Sequence, residues 1–249
     1  MVKNTLDIKY IKPKLHPFYQ VMDVVESIDS THHHIKQHLS NFKVGDVLLA
    51  REQVSGIGTF GRSFFSPKDK GVYCSFCVDS KPLPWVSTLM PIVVGIAICD
   101  VLTTHYRINA KVQWVNDVLI NNQKVAGVLC EHTEDIMIVS FGLNVYDTIY
   151  PASIKDCVTN LFSYEELINI NKLTVLLLNQ IIAIINHVTL LQIQEAFIKY
   201  RNNNQVTIKR NNQNIQVDIV SIDEAGRLQV LDDQQQLITL YSSNEIIKD

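Results

Sequence analysis

Between Lys111 and Glu131 two short apolar runs meet across an Asn121-Asn122 pair, and this stretch narrows the fold more than any other part of the chain. Asparagine tolerates the left-handed backbone that a two-residue hairpin turn needs at both central positions, so the two runs are predicted to be neighbouring antiparallel strands. Asn116 and Asp117 end the first run and Lys124 opens the second. Such a hairpin brings an amide, a carboxylate and a lone lysine towards one ligand. Asn-Asp pairs and Asn-Asn turns are also ordinary hairpin chemistry, so a second segment is needed before these residues indicate a site.

Arg51 to Pro67 is that second segment. It reads Arg-Glu-Gln53-Val-Ser-Gly56-Ile-Gly58-Thr-Phe-Gly61-Arg62-Ser-Phe64-Phe-Ser66-Pro67 and holds three of the nine glycines. Glycines at this density let backbone N–H groups approach a phosphate or a flat polar ring without side chains in the way. The loop is a candidate ligand clamp. It lacks the Gly-Lys-Ser/Thr ending of a Walker A loop and the spacing of the dinucleotide fingerprint.

The elements around these segments alternate in type. Ile8 to Ile28 is predicted as short strand-like and loop pieces, and Ser30-Thr31 as an N-cap before a helix over His32–Leu39. Strands are expected at Asp46–Arg51, Gly71–Val78 and Ile136–Leu143, with a loop at Pro82 and Pro84 and a helix over Val86–Tyr106. The result is α+β, a mixed or antiparallel sheet flanked by helices. Two further helices, Asn171–Val188 and Leu190–Tyr200, follow a loop containing Pro151. Composition changes at Arg201 to Asn- and Gln-rich sequence with short alternating runs at Gln205–Lys209, Ile215–Ile222, Leu228–Leu231 and Gln236–Tyr241, and a turn at Asp223–Gly226. Such a string predicts a small β-barrel, and two domains are expected, 1–200 and 201–249.

With 249 residues, 47% hydrophobic and 19% charged, the composition is that of an ordinary globular protein. A net charge of −3 argues against general nucleic-acid binding. The longest apolar stretch, Met90 to Cys99, is interrupted by Pro91 and Gly95 and is read as too short for a bilayer, and the N-terminus shows no signal-peptide core. Five cysteines without scaffold spacing suit a reducing compartment, so a cytoplasmic location is expected. Cys74 and Cys77 lie on one predicted strand, where residues three apart face opposite ways, which argues against a metal or redox pair. His32, His33 and His34 diverge around a helix and are expected on its solvated surface rather than at a metal.

The two ligand segments, in this order, resemble those of the biotin protein ligase family. Asp29-Ser30-Thr31 is similar to an early family element, and Phe65-Ser66-Pro67 with Gly71-Val-Tyr-Cys-Ser75 to the strand after its glycine loop. Val139-Ser-Phe-Gly142-Leu-Asn144-Val resembles the family strand Gly-x-Gly-x-Asn, with Ser140 in place of the first glycine. The resemblance implies a class II synthetase-like ligase domain followed by a C-terminal SH3-like barrel. It also implies ATP and biotin as substrates with Mg²⁺, biotinyl-5′-AMP as intermediate, and a lysine of a biotin carboxyl carrier protein of acetyl-CoA or pyruvate carboxylase as acceptor. Many members begin with a winged helix. Here the Asp-Ser-Thr element is reached by residue 31, so neither that domain of about 60 residues nor a DNA-binding role is expected. A sheet edge often pairs catalytic domains in the family, which makes a homodimer an assembly to consider; no membrane partner is expected.

By the same resemblance, Lys124 neutralises the biotin carboxylate and the α-phosphate as they meet, with Arg62 as the second catalytic cation. Ser30, Thr31, Gln53, Gly56, Gly58, Lys124 and Gly127 are implied to bind biotin. Gly61, Arg62, Phe64, Trp114, Asn116, Asp117 and Asn144 are implied to serve the nucleotide. There are departures: Ile57 and Thr59 stand where the family loop carries arginines, Gln113 replaces a lysine, and Phe64 replaces a tryptophan. Each lost charge-assisted bond is worth about 1.5–3 kcal/mol, so weakened activity is an expectation. A non-catalytic biotin-binding relative and a lipoate or octanoate ligase are the alternatives.

Overall fold

The computed structural model describes residues 5–81, 86–133, 135–165, 167–210 and 213–247, so the predicted loop at Pro82 and Pro84 lies outside the described residues. Seven strands form the larger sheet: β1 (Gln20–Val25), β2 (Asp46–Ala50), β3 (Gly71–Asp79), β4 (Lys111–Gln113), β5 (Asp117–Ile120), β6 (Gln123–Thr133) and β7 (Ile136–Asn144). They lie in the order β1-β2-β3-β7-β6-β5-β4, with β1 and β2 parallel and the remaining pairs antiparallel. The chain is thus mixed α+β, as its pattern of elements indicates.

Strands β3 and β7 are buried along nearly their whole length because both faces of the sheet are covered. Helices α3 (Val86–Tyr106) and α4 (Ile170–His187) lie on one face, over Cys74, Phe76, Val139 and Phe141. Each large aliphatic side chain buried there contributes about 1.5–3 kcal/mol. On the other face α2 (Thr31–Gln37) packs Ile35 against Leu48, Cys77 and Ile138. Cys74 and Cys77 do point to opposite faces, as strand alternation requires. Burial pushes the Cys74 thiol up and the Cys77 thiol to about 12, so both are protonated at neutral pH.

Four local expectations are corrected. Ile8–Ile11 is one turn of helix, α1, capped by the Asp7 side chain, which accepts from the Lys9 N–H. The run before the Asn-Asn turn is two strands, because the chain turns back at Trp114–Asn116 and pairs Gln113 with Asp117. Asp117 therefore begins a strand, with Asn116 in the turn before it, instead of the pair ending one. Asn121 and Asn122 do close the following turn, with φ of 50° and 63°. The apolar stretch around Met90 to Cys99 continues into an 18-residue window long and apolar enough by composition to cross a bilayer, as does α4, since Pro91 and Gly95 do not interrupt the helix. From Leu89 to Leu102 α3 is almost wholly buried against the sheet, the placement of a core helix.

After α5 (Leu190–Tyr200) come β8 (Gln205–Arg210), β9 (Gln213–Ile222), β10 (Leu228–Leu231), β11 (Leu237–Leu240) and the two-residue β12 (Ile246–Ile247). They form an antiparallel sheet in the order β11-β10-β9-β8-β12, open between its two edge strands. Among the hydrogen bonds that join it and its lead-in to the rest of the molecule, three involve backbone carbonyls of the two parts. Trp114 Nε1–H donates to the Gly226 carbonyl at 2.9 Å, Gln194 Nε2–H to the Ile222 carbonyl at 2.6 Å, and Asn202 N–H to the Val112 carbonyl at 2.8 Å.

Candidate active site

The face of the large sheet opposite α3 and α4 carries a cleft of ≈650 Å³, its open mouth included. Register explains why the cleft lies there. Ser75 pairs with Ser140, Ser140 with Leu129, and Gly142 with Gly127, so hydroxyls and glycines replace bulk on the one face that α2 and the glycine loop fold over. A Cβ on Gly142 would lie 2.3 Å from Phe64 Cε1, and one on Gly127 3.3 Å from Phe64 Cε2. The two glycines thus form the seat of the Phe64 ring.

At one end of the cleft is a polar cluster. Ser30 caps α2, its Oγ accepting from the His33 N–H at 3.4 Å. Gln53 Oε1 accepts from the Thr31 N–H at 2.9 Å and lies 3.1 Å from Thr31 Oγ1, while Gln53 Nε2–H donates to Ser66 Oγ at 3.0 Å. Beneath them runs a hydroxyl chain: Thr31 Oγ1 to Ser75 Oγ at 2.7 Å, Ser75 Oγ to Ser140 Oγ at 2.7 Å, and Ser140 Oγ to His32 Nδ1 at 2.8 Å. His32 Nε2 lies 3.1 Å from Glu131 Oε2, and Glu131 Oε1 pairs with Lys36 Nζ at 2.5 Å.

His32 overturns the expectation of a solvated histidine run. Its relative exposure is 2%, while His33 is exposed. The first turn of α2 presents Thr31, His32 and Ile35 to the sheet, a face that three consecutive histidines could not reveal. Burial holds the imidazole below its ordinary range, against the pull of Glu131. The hydrogen bond from Lys36 is the main reason Glu131 stays below the usual carboxylate range. His32, Ser75 and Ser66 are the polar residues of the site that sequence reasoning missed; Ser140 was visible only as a departure from the family strand.

The rest of the cleft is cationic and aromatic. Arg62 and Lys124 both line it. Arg62 is exposed and donates through Nε and Nη2 to Thr59 O and Oγ1, both at 3.3 Å. Asn116 Nδ2–H donates to Thr59 Oγ1 at 3.3 Å and to the Val128 carbonyl at 3.1 Å, so Thr59 fastens the glycine loop to the hairpin. The loop also bonds to itself: Gly58 N–H donates to the Arg62 carbonyl at 2.7 Å and Phe64 N–H to the Gly56 carbonyl at 2.8 Å. Gly61, at φ +71°, sits where a side chain would be strained.

Lys124 is not the lone lysine its position in sequence suggested. Its Nζ is 2.7 Å from Asp117 Oδ1, an ion pair without the geometry of a directed hydrogen bond, because the two residues sit on adjacent strands. Its backbone is held by a segment that sequence reasoning left as loop: Lys124 N–H donates to Cys157 O at 2.8 Å and Thr159 N–H to Lys124 O at 2.9 Å. Two residues of the expected nucleotide side face elsewhere. Trp114 is buried with its indole N–H on Gly226, and Asn144 Nδ2–H donates to the Thr159 carbonyl at 3.0 Å. Both tie segments together around the cleft. Among the described residues no group of three or more His, Cys, Asp or Glu could hold a metal ion.

Residues 24–145 match the family model "Biotin/lipoate A/B protein ligase family". The bifunctional ligase/repressor BirA of Escherichia coli is 32% identical over 110 residues, 44% of this chain and 34% of that protein. Biotin–protein ligase 2 of Arabidopsis thaliana is 29% identical over 157 residues, 57% of this chain and 47% of that protein. The chain spans about a third to a half of the length of the curated relatives it matches. The biotin protein ligase of Aquifex aeolicus, solved in complex with biotin and ATP, superposes with a TM-score of 0.78 at 25% identity, covering 92% of this chain and 98% of that one. The matched segment, residues 24–145, supplies both the glycine loop and the hairpin that enclose one cleft, and over that span the chain is similar to the biotin/lipoate A/B protein ligase family.

Proposed function

We propose that this chain is an ATP-dependent biotin protein ligase. The observation that carries the proposal is the meeting, in one cleft, of the Thr31–Gln53 hydrogen-bonding cluster with the cations Arg62 and Lys124. A urea ring offers two N–H donors and one carbonyl acceptor, which Gln53, Thr31 and Ser30 suit. The apolar tail and carboxylate of biotin then extend along Gly127 and Phe64 towards Lys124. Two anions, the carboxylate and the α-phosphate of ATP, must approach for adenylation, and Lys124 and Arg62 lower the repulsion between them. The carboxylate oxygen attacks the α-phosphorus and pyrophosphate leaves, giving biotinyl-5′-AMP. The amine of a carrier-protein lysine then attacks the acyl carbon and releases AMP.

Mg²⁺ is part of the proposal. Asp117 offers a hard carboxylate beside the cleft and would hold the ion together with phosphate oxygens, where it would supply neutralisation of pyrophosphate charge. So are the division into a catalytic part, 1–200, and a C-terminal part, 201–249, of SH3-like type, supported by the alternating short strands after Arg201. A biotin carboxyl carrier protein as acceptor and a cytoplasmic setting complete it. Incubation of the pure protein with biotin, ATP and Mg²⁺ should release pyrophosphate, and an added carrier domain should gain one biotin. Lipoate activated in preference to biotin, or no adenylate with either acid, would refute the proposal.

A further inference from the structure

Taking the ligand of the cleft to be biotin, as proposed above, we infer that His32 is a positioning residue whose protonation sets the hydrogen-bonding polarity of the pocket through the chain Ser140–Ser75–Thr31–Gln53. The geometry leaves few ways to arrange the protons. Gln53 is oriented by the Thr31 backbone, whose N–H can only donate, so Oε1 faces it with one lone pair already used. The hydroxyls of Thr31, Ser75 and Ser140 each carry one proton and stand in a row at 2.7 Å spacing, and His32 Nδ1 ends the row at 2.8 Å.

With His32 neutral, its one proton belongs on Nε2, where it donates to Glu131, and Nδ1 accepts. Ser140 then donates to Nδ1, Ser75 to Ser140, and Thr31 to Ser75. Thr31 Oγ1 and the second lone pair of Gln53 Oε1 are left as acceptors at the cleft, a match for the two N–H donors of a urea. With His32 charged, Nδ1 becomes a donor and every hydroxyl must turn round: Ser140 donates to Ser75, Ser75 to Thr31, and Thr31 to Gln53 Oε1, 3.1 Å away. The Gln53 oxygen is then filled and one acceptor for the ligand is lost.

The charged and titratable groups facing His32 are Glu131 from β6 and His33 and Lys36 from its own helix; β3 and β7 present the hydroxyls of Ser75 and Ser140. Glu131 is partly exposed and gives the proton a route in from solvent. Ser140 makes the chain continuous, because a glycine at that position would break it between His32 and Ser75.

The sign follows. Neutral His32 favours the ligand, so biotin binds best above the imidazole pKa and more weakly as pH falls through it. By reciprocity, binding at acid pH expels the proton. Burial places that transition below the ordinary imidazole range. The test is calorimetric titration of the full chain with biotin alone, from about pH 5 to about pH 8, in two buffers of different ionisation enthalpy. The wild type should bind about tenfold more weakly at the acid end, the scale of one lost buried hydrogen bond, and should release a proton on binding there. Ser75→Ala keeps His32 titratable but cuts the chain, and should abolish both the pH dependence and the proton release; His32→Asn should do the same and serves if the first variant does not fold. Binding by either variant with the wild-type pH profile would overturn the inference alone. No binding by the wild type at any pH would overturn the ligand assignment and the inference with it.

Discussion

Lys124 has Asp117 for a partner at 2.7 Å, yet about a third of its side chain is open to the cleft. An entering carboxylate or phosphate therefore competes with a carboxylate the protein already supplies. Lys124→Gln keeps length and polarity but removes the charge. If the ammonium stabilises the approach of two anions, pyrophosphate release should fall about 10²- to 10³-fold with the far-UV spectrum unchanged. A change below about threefold would assign Lys124 to the ion pair alone. Gly142 acts by what it lacks. Gly142→Ala places a methyl 2.3 Å from Phe64 Cε1 and must displace that ring or the strand, at a cost of about 1–3 kcal/mol in urea denaturation and with a raised KM for biotin. Unaltered stability and KM together would show that Phe64 moves freely. That Thr31, Gln53, Arg62 and Lys124 would line one cleft was legible through the family resemblance that marks them. His32 and Ser75 were not, since burial depends on which face of a short helix meets the sheet and which strand lies opposite.

Among the elements, the hairpin of β5 and β6 is held by a turn with two left-handed asparagines, Asn121 and Asn122. Asn121→Val puts a β-branched side chain at a φ of 50° and should cost about 1–2 kcal/mol, read as a lower urea midpoint. Because Lys124 lies just beyond this turn, the same variant should also slow adenylation; a normal rate in a destabilised protein would show that the Cys157–Thr159 segment alone positions Lys124. Helix α3 could be outlined from sequence to its ends at Val86 and Tyr106 because 21 residues of mostly apolar sequence carry their own boundaries. The break between β4 and β5 could not. Val112, Val118 and Ile120 are all buried, so the two strands read as one apolar run, and the reversal at Trp114–Asn116 carries no glycine or proline to mark it. The one-turn α1 was missed for a related reason: four residues are too few for a period to show.

At the scale of the whole molecule, the C-terminal sheet is attached beside the site. Trp114 sits in the turn that delivers Asn116 and Asp117, is 8% exposed, and donates its indole N–H to Gly226, in the turn between β9 and β10. Asn202, in the lead-in to the second sheet, bonds the Val112 carbonyl of β4, so the C-terminal part holds both β4 and the turn that follows it. Trp114→Phe fills most of the volume but leaves the Gly226 carbonyl without its donor. About 1–2 kcal/mol of stability should go, shared unequally: amide exchange in β9 and β10 should speed up more than in β3 and β7. If the second sheet helps hold the hairpin in place, the KM for ATP should rise while the affinity for biotin, proposed to bind at the Thr31–Gln53 end, stays the same. Equal acceleration of exchange in both sheets would mean that they open as one unit. Unchanged exchange with a raised KM would place the effect in the turn itself and remove the C-terminal sheet from any part in shaping the site.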